Sequence, residues 1–250
     1  IALTKAAFEI LLTLFARAGY DEEQMTICRG LMTETIAGCY DLKGEWIGLN
    51  STNPSGHALT VIINSIANSI QVRSAFYKLA EAVGYDMTCL GFADLVSLVT
   101  YGDDNAMGVC EGIPWFNHTE ISRVMKDWGI TYTMADKEAL SVPYIEMSQV
   151  SFLKRTWEWC DIRDTFLGPL DESSIMKTLH TYVASSEIDV KEQHAQLILS
   201  ANREYFLHGY ERYKTMREVL LNLANEYKVA HFFPECKLPD AGELDSWILQ

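Results

Sequence analysis

The chain has 250 residues, 48% of them hydrophobic, enough to build one large core or two modest ones. No uninterrupted apolar stretch approaches the roughly 20 residues that cross a bilayer, so the sequence offers no membrane-spanning helix. The net charge of −14, from 34 acidic and 20 basic residues, runs against a nucleic-acid binder, whose footprint is normally a basic patch, although an acidic total can still contain a locally basic track.

The six cysteines, at 28, 39, 89, 110, 160 and 236, show neither CxxC nor Cys/His spacing. They read as reduced, mostly buried small residues rather than disulfide partners or zinc ligands. The opening IALTKAAFEI has no initiator Met and no signal-peptide layout, which reads as a piece of something longer.

Residues 1–17 place Leu3, Ala7, Phe8, Leu11, Leu12 and Phe15 at helical spacing, with Gly19 as the C-cap. Asp21 and Gln24 have the spacing of a capping box and open a second helix to about Glu34. Lys43-Gly44 lies between two stretches of strand character in 35–50, a β-hairpin. After the turn at 53–56, Leu59, Ile62, Ile63, Ile66 and Ile70 set out a long helix ended by Gly84. The segment 94–110 reads as a second hairpin with a tight turn at Gly102–Asn105. Asn117 and Glu120 cap a helix through Trp128, and ITYTM at 130–134 reads as a strand. SFLKRTWEW at 151–159 alternates weakly, as a strand or short hairpin. Beyond Pro169 the pattern is helical, with Gly209 as a break. The resulting expectation is a mixed α and β region over 1–160 followed by a helical unit over 165–228.

Residues 100–105 read TYGDDN and follow the apolar run LVSLV. Two adjacent carboxylates at the end of a buried-looking strand would cost Coulombic repulsion and desolvation. Gly-Asp-Asp-Asn is also good turn composition. The chemical alternative is that the acids hold divalent cations, whose charge removes the repulsion and stabilises a phosphoryl-transfer transition state. Upstream, PSGHALTVIINS combines a Ser-Gly turn with a helix that presents Thr60 and Asn64 one turn apart on one face. On that helix Val61, Ile62 and Ile66 are expected to pack beneath.

Taken in order, Ser55-Gly56-x₃-Thr60-x₃-Asn64-Ser65, Tyr101-Gly102-Asp103-Asp104-Asn105, Ala135-Asp136-Lys137 and Phe152-Leu153-Lys154-Arg155 resemble motifs B, C, D and E of the RNA-dependent RNA polymerases of picorna-like positive-strand RNA viruses. The helical tail beginning GPLDESSIMKTLH resembles, more loosely, the thumb of the marine and insect group. The resemblance implies an α+β right-hand polymerase, with a palm of antiparallel sheet and packed helices over 1–160 and a thumb over 161–250. It implies that Asp103, with Asp104 in a supporting role, ligates the catalytic Mg²⁺, with Mn²⁺ as the alternative metal. It further implies that Asn64 senses the ribose 2′-hydroxyl, that Ser55, Gly56 and Thr60 contact the incoming nucleotide, and that Lys137 protonates the leaving pyrophosphate. Lys154 and Arg155 would brace the primer strand through its phosphates. The implied partners are RNA template and primer, nucleoside triphosphates and other viral replication proteins, and the implied location is the host cytoplasm at replication complexes.

The chain departs from the family pattern in one respect. A motif A aspartate, within D-x₄₋₅-D, is absent: Asp21 sits in a helix cap and Asp41 in the first hairpin, with no second acid at that spacing. The expectation is that this aspartate and the basic fingers elements lie before Ile1, and that the 250 residues alone are inactive. Two other readings compete: a reverse transcriptase, whose palm also bears paired aspartates, and a palm-derived interaction module without catalysis. The remaining residues keep structural readings: His57 is a loop residue, and Trp157 and Trp159 are packing residues before they are base-stacking ones.

Overall fold

The computed structural model describes residues 2–48, 56–86, 91–160 and 164–248. These combine helices with small antiparallel sheets, an α+β fold. Contacts group the chain into two units, Ile1–Ile145 and Glu146–Gln250.

In the first unit, α1 (Ala2–Arg17) closes at Gly19, whose φ of 94° is left-handed backbone open to glycine at little cost. Helix α2 (Glu22–Ile36) opens on the capping box: Asp21 Oδ1 accepts from the Gln24 amide at 2.8 Å, and Gln24 Oε1 accepts from the Asp21 amide at 2.9 Å. The first hairpin pairs β1 (Cys39–Leu42) with β2 (Glu45–Gly48). Its turn residues Lys43 and Gly44 both have positive φ, the type I′ arrangement that matches strand twist. Asp41 Oδ1 accepts from the Gly44 amide at 2.7 Å, so that acid stabilises the turn.

Helix α3 (Thr60–Val83) is the spine of the unit. Its Ile63 side packs on Ala7 and Phe8 of α1. Its other side, through Val72, Ala75, Phe76 and Leu79, builds the main core with α4 (Phe92–Leu95), β3 (Val96–Tyr101) and α5 (His118–Asp127). Phe76 is fully buried and meets Phe92 at 5.2 Å and Phe116 at 5.1 Å between ring centroids, both edge to face. Val61 and Ile62, expected beneath the helix, are exposed instead. Each successive residue turns about 100° around a helix, which carries both away from the face of Thr60, Ile63 and Asn64 that turns inward.

Strand β3 pairs with β4 (Asp104–Val109) in register Tyr101↔Asp104 through Val96↔Val109. Val96, Leu98, Met107 and Val109 turn toward the core. The expected strand at 130–134 does not form. The Ile130 amide donates to the Met125 carbonyl at 2.9 Å, and the Tyr132 carbonyl accepts from Ser122 Oγ at 3.0 Å. Helix α5 thus takes backbone groups that a sheet partner would have used.

The second unit contains a two-residue turn at Leu153-Lys154, then β5 (Glu158–Cys160) paired with β6 (Thr165–Leu167). Four helices follow: α6 (Glu172–His180), α7 (Val190–Phe206), α8 (Tyr210–Glu226) and α9 (Ala241–Ile248). Gly209, at φ 86°, separates α7 from α8. Helix α9 has no counterpart in the sequence reading. Its anchor is the Pro239 carbonyl just before it, which accepts from Asn202 at 2.9 Å and from the Tyr213 hydroxyl at 3.1 Å. The core of this unit gathers Ile175, Ile198, Tyr205, Tyr213, Leu220, Phe233, Leu238 and Leu244.

The cysteines differ from expectation. Among the described residues all are free, but Cys39, Cys110 and Cys236 are exposed and Cys28 and Cys160 only half-buried. Cys89 lies outside the described residues.

Candidate active site

The paired acids occupy a two-residue hairpin. Gly102 and Asp103 form the turn between Tyr101 and Asp104. Gly102 has φ 62° and Asp103 does not share a positive φ, the pattern of a type II′ turn with glycine at its first central position. The turn is therefore tighter than the Gly102–Asn105 expected, because Asp104 and Asn105 already belong to the β4 ladder.

Both carboxylates are exposed. The desolvation cost anticipated for a buried strand end is thus absent: strand alternation turns Leu98 and Met107 inward and leaves Val99, Tyr101 and Asp104 on the outer face. Water screens the repulsion between the two acids. Among the described residues neither acid forms an ion pair, and no group of three or more His, Cys, Asp or Glu side chains converges as a metal cage. Two exposed carboxylates on one turn are a hard-oxygen donor set of the kind that divalent cations take, with water completing the coordination.

The inner side of the turn is bonded throughout to α3. The Gly102 amide donates to Ser65 Oγ at 2.8 Å, and Ser65 in turn donates to the Val61 carbonyl at 2.7 Å. Asn68, 7% exposed, directs its side-chain nitrogen at three consecutive carbonyls: Gly102 at 3.3 Å, Asp103 at 2.9 Å and Asp104 at 3.1 Å. Its oxygen accepts from Asn105 Nδ2 at 3.1 Å. Asn105 Oδ1 accepts from the Tyr132 hydroxyl at 2.8 Å. Burial pushes the Tyr132 hydroxyl above its ordinary range, so it stays a neutral donor.

Two of the anticipated groups lie on the same helix, α3. Asn64 immediately precedes Ser65, and Thr60 lies one turn before Asn64 on the same half-buried face. Gly56 is described, exposed and at φ 86°, with open space where a Cβ would stand. Backbone conformation, not crowding, is what favours glycine there. Ser55 lies outside the described residues. His57 is a loop residue: its Nδ1 faces the Leu59 amide at 3.2 Å and its carbonyl accepts from the Thr60 amide at 3.0 Å.

Lys137 is exposed in a turn that Asp136 closes by accepting from the Glu138 amide at 3.1 Å. Its segment is joined to the hairpin through Tyr132. Lys154 and Arg155 belong to the second unit. Lys154 is exposed and sits at φ 64°, after Leu153 at φ 55°. Arg155 makes a two-pronged pair with Glu204, both contacts at 2.8 Å, and donates to the Gly168 carbonyl at 2.7 Å. The Glu204 carboxylate raises the Arg155 guanidinium further above its already high range. Trp159, half-exposed, packs edge to face on Phe166 at 5.0 Å.

Sequence reasoning missed Asn68 and Tyr132. Asn68 had a signal: it repeats the Asn64 face one turn on, at a position where an amphipathic helix calls for an apolar residue. Tyr132 had none, since its partner is set only by the fold.

Residues 3–227 match the family model described as viral RNA-dependent RNA polymerase. The chain belongs to that family. Among individual relatives, it is 29% identical over 205 residues, 81% of its length, to the replicase polyprotein of Cricket paralysis virus. It is 30% identical over 213 residues, 84% of its length, to the replicase polyprotein of Drosophila C virus. It is 32% identical over 161 residues, 62% of its length, to the RNA1 polyprotein of Cowpea mosaic virus. The matched stretch spans 12% of each of the first two polyproteins and 8% of the third.

Proposed function

We propose that this chain supplies palm and thumb of an RNA-directed RNA polymerase that replicates a viral RNA genome, adding nucleoside triphosphates to an RNA 3′-hydroxyl under template direction. The observation that supports the reading is the docking of α3 on the hairpin tip through Ser65 and Asn68, the helix that also carries Asn64. Family membership supplies the reaction class. The first unit and residues up to 160 correspond to the palm, and the helices beyond to the thumb.

In this reading Asp103 holds Mg²⁺, or Mn²⁺ in its place, with Asp104 assisting and a third carboxylate coming from outside these residues. The metal, when bound, supplies Lewis-acid activation of the 3′-hydroxyl and neutralises the departing pyrophosphate. The chain's own groups do the rest. Asn64 offers an amide donor and acceptor to the ribose 2′-hydroxyl, which separates RNA from DNA precursors. Ser55 and Gly56, with Thr60, hold the incoming nucleotide through a loop whose positive φ at Gly56 leaves the backbone accessible. Lys137 donates a proton to the pyrophosphate oxygen as the bond breaks. Lys154 contacts primer phosphate, and Arg155 shares its guanidinium between Glu204 and the same strand. Template, primer and other viral replication proteins are the partners, at replication complexes in the host cytoplasm. No described helix is long and apolar enough to cross a membrane.

Primer extension tests this. A polymerase that contains these residues together with a further metal-binding aspartate should extend an RNA primer with NTPs and Mg²⁺, and Asp103→Asn in it should lower the rate at least about 1,000-fold. Extension by Asp103→Asn at the wild-type rate would overturn the assignment, and preference for dNTPs would favour the reverse transcriptase.

A further inference from the structure

We propose that Asn68 is a positioning residue for the reaction: it fixes the backbone of Gly102–Asp104, and with it the direction of both carboxylates, relative to the helix that carries Asn64. The inference rests on the polymerase reading above and goes beyond it, since Asn68 touches neither nucleotide nor metal in that scheme.

The argument begins with hydrogen-bond supply. The outer turn carbonyls of a two-residue hairpin have no ladder partners, so water or a side chain must satisfy them. Here a single amide nitrogen with two hydrogens serves three successive carbonyls, at 3.3, 2.9 and 3.1 Å. Such convergence requires the chain to curl around the amide. Gly102, at φ 62° with nothing within 4 Å of an added Cβ, has the freedom to adopt many other turns. Asn68 selects one of them.

The selection is reinforced on both sides. Ser65 takes the Gly102 amide, and the Asn68 oxygen takes Asn105, whose own oxygen is held by Tyr132. Every atom of the Asn68 amide is thus used. A buried amide costs more than a leucine of similar volume unless its bonds are made, so core packing alone gives no reason for asparagine at this position. Positioning does. Metal ligands for phosphoryl transfer must be held within about 0.5 Å of their working geometry, and Asn64 and Asn68, one helical turn apart, refer ribose recognition and metal ligation to one rigid element.

The test uses the longer, active polymerase. Asn68→Asp keeps the size of the side chain and replaces the donor nitrogen by an oxygen that repels the three carbonyls. The expected result is a fall of at least about 100-fold in kcat for single-nucleotide addition, with KM for NTP and RNA affinity changed less than about threefold. The half-saturating Mg²⁺ concentration should rise several-fold, Mn²⁺ binding followed by electron paramagnetic resonance should weaken, and amide exchange at Gly102–Asn105 should quicken at least tenfold while that of α1 is unchanged. Tyr132→Phe, which removes only the distal bond, should lower kcat less than about tenfold. If Asn68→Asp does not fold, Asn68→Ala carries the same readouts. A variant that only lowers the fraction of active enzyme, with kcat per active site and Mg²⁺ dependence unchanged, overturns the proposal. Asp103→Asn, run in parallel, separates the two readings: inactive Asp103→Asn beside a fully active Asn68→Asp refutes the inference alone, whereas active Asp103→Asn refutes the polymerase site itself.

Discussion

Asp103 and Asp104 stand side by side because the fold keeps their charge in water and their backbone bonded. Both carboxylates face out, while the carbonyls of the same residues face in to Asn68. An exposed acid pair costs little as long as solvent or cations screen it, and a metal adds to a geometry that exists already. In the proposed site, substrate choice rests on Asn64. Asn64→Ala in the active polymerase should lower the ratio of kcat/KM for NTP over dNTP at least about tenfold, some 1.4 kcal/mol of discrimination; an unchanged ratio would remove Asn64 from ribose recognition. Lys154 allows a test in which two effects have opposite signs. It occupies left-handed backbone at φ 64°, which costs a non-glycine residue roughly 1–2 kcal/mol. Lys154→Gly should therefore raise stability by about 1 kcal/mol and at the same time reduce the salt dependence of RNA binding by about one phosphate contact. Calorimetry and binding at several salt concentrations measure both.

Helix α3 carries the proposed nucleotide-contacting residues Thr60 and Asn64 on the core of the first unit. Phe76 is its largest fully buried side chain, with aromatic neighbours Tyr77, Phe92, Trp115 and Phe116. Phe76→Ala should cost about 3–5 kcal/mol by cavity formation, read by denaturant unfolding. In the second unit Glu172 of α6 pairs with Arg212 of α8. The Arg212 guanidinium holds the Glu172 carboxyl below its usual range. A carboxyl lowered on folding contributes stability that is present above its unfolded pKa and is lost as pH falls through the folded one. Wild type should thus lose more stability than Glu172→Gln between about pH 5 and pH 3; parallel melting curves for the two would contradict this.

At this scale the sequence was legible wherever a local rule decides. The Asp21 capping box, the Lys43-Gly44 turn and the Gly84 stop all follow from bonds within four residues. It was not legible where a distant partner decides: 130–134 looks like a strand, yet α5 takes its backbone groups, and α9 depends on Asn202 and Tyr213 far away in the chain. The site divides in the same way. Asp103, Asp104, Thr60, Asn64 and Gly56 could be named from their motifs, whereas the Asn68 contact spans 35 residues and the pairing of Arg155 with Glu204 spans 49.

For the molecule as a whole, the −14 net charge is compatible with the proposed RNA partner if basic surface comes from other parts of an active polymerase; the matched stretch is about an eighth of the curated replicase polyproteins. The 250 residues alone, given primer, template, NTPs and Mg²⁺, should extend nothing, because two carboxylates from one turn do not complete a two-metal site. The most direct measurement is anomalous diffraction at the manganese edge from crystals of the longer polymerase, with primer, template and a non-hydrolysable NTP bound. An anomalous peak about 2.1–2.2 Å from an Asp103 carboxylate oxygen, in contact with the triphosphate, is the predicted result. Manganese on the triphosphate with Asp103 outside its coordination sphere would contradict it.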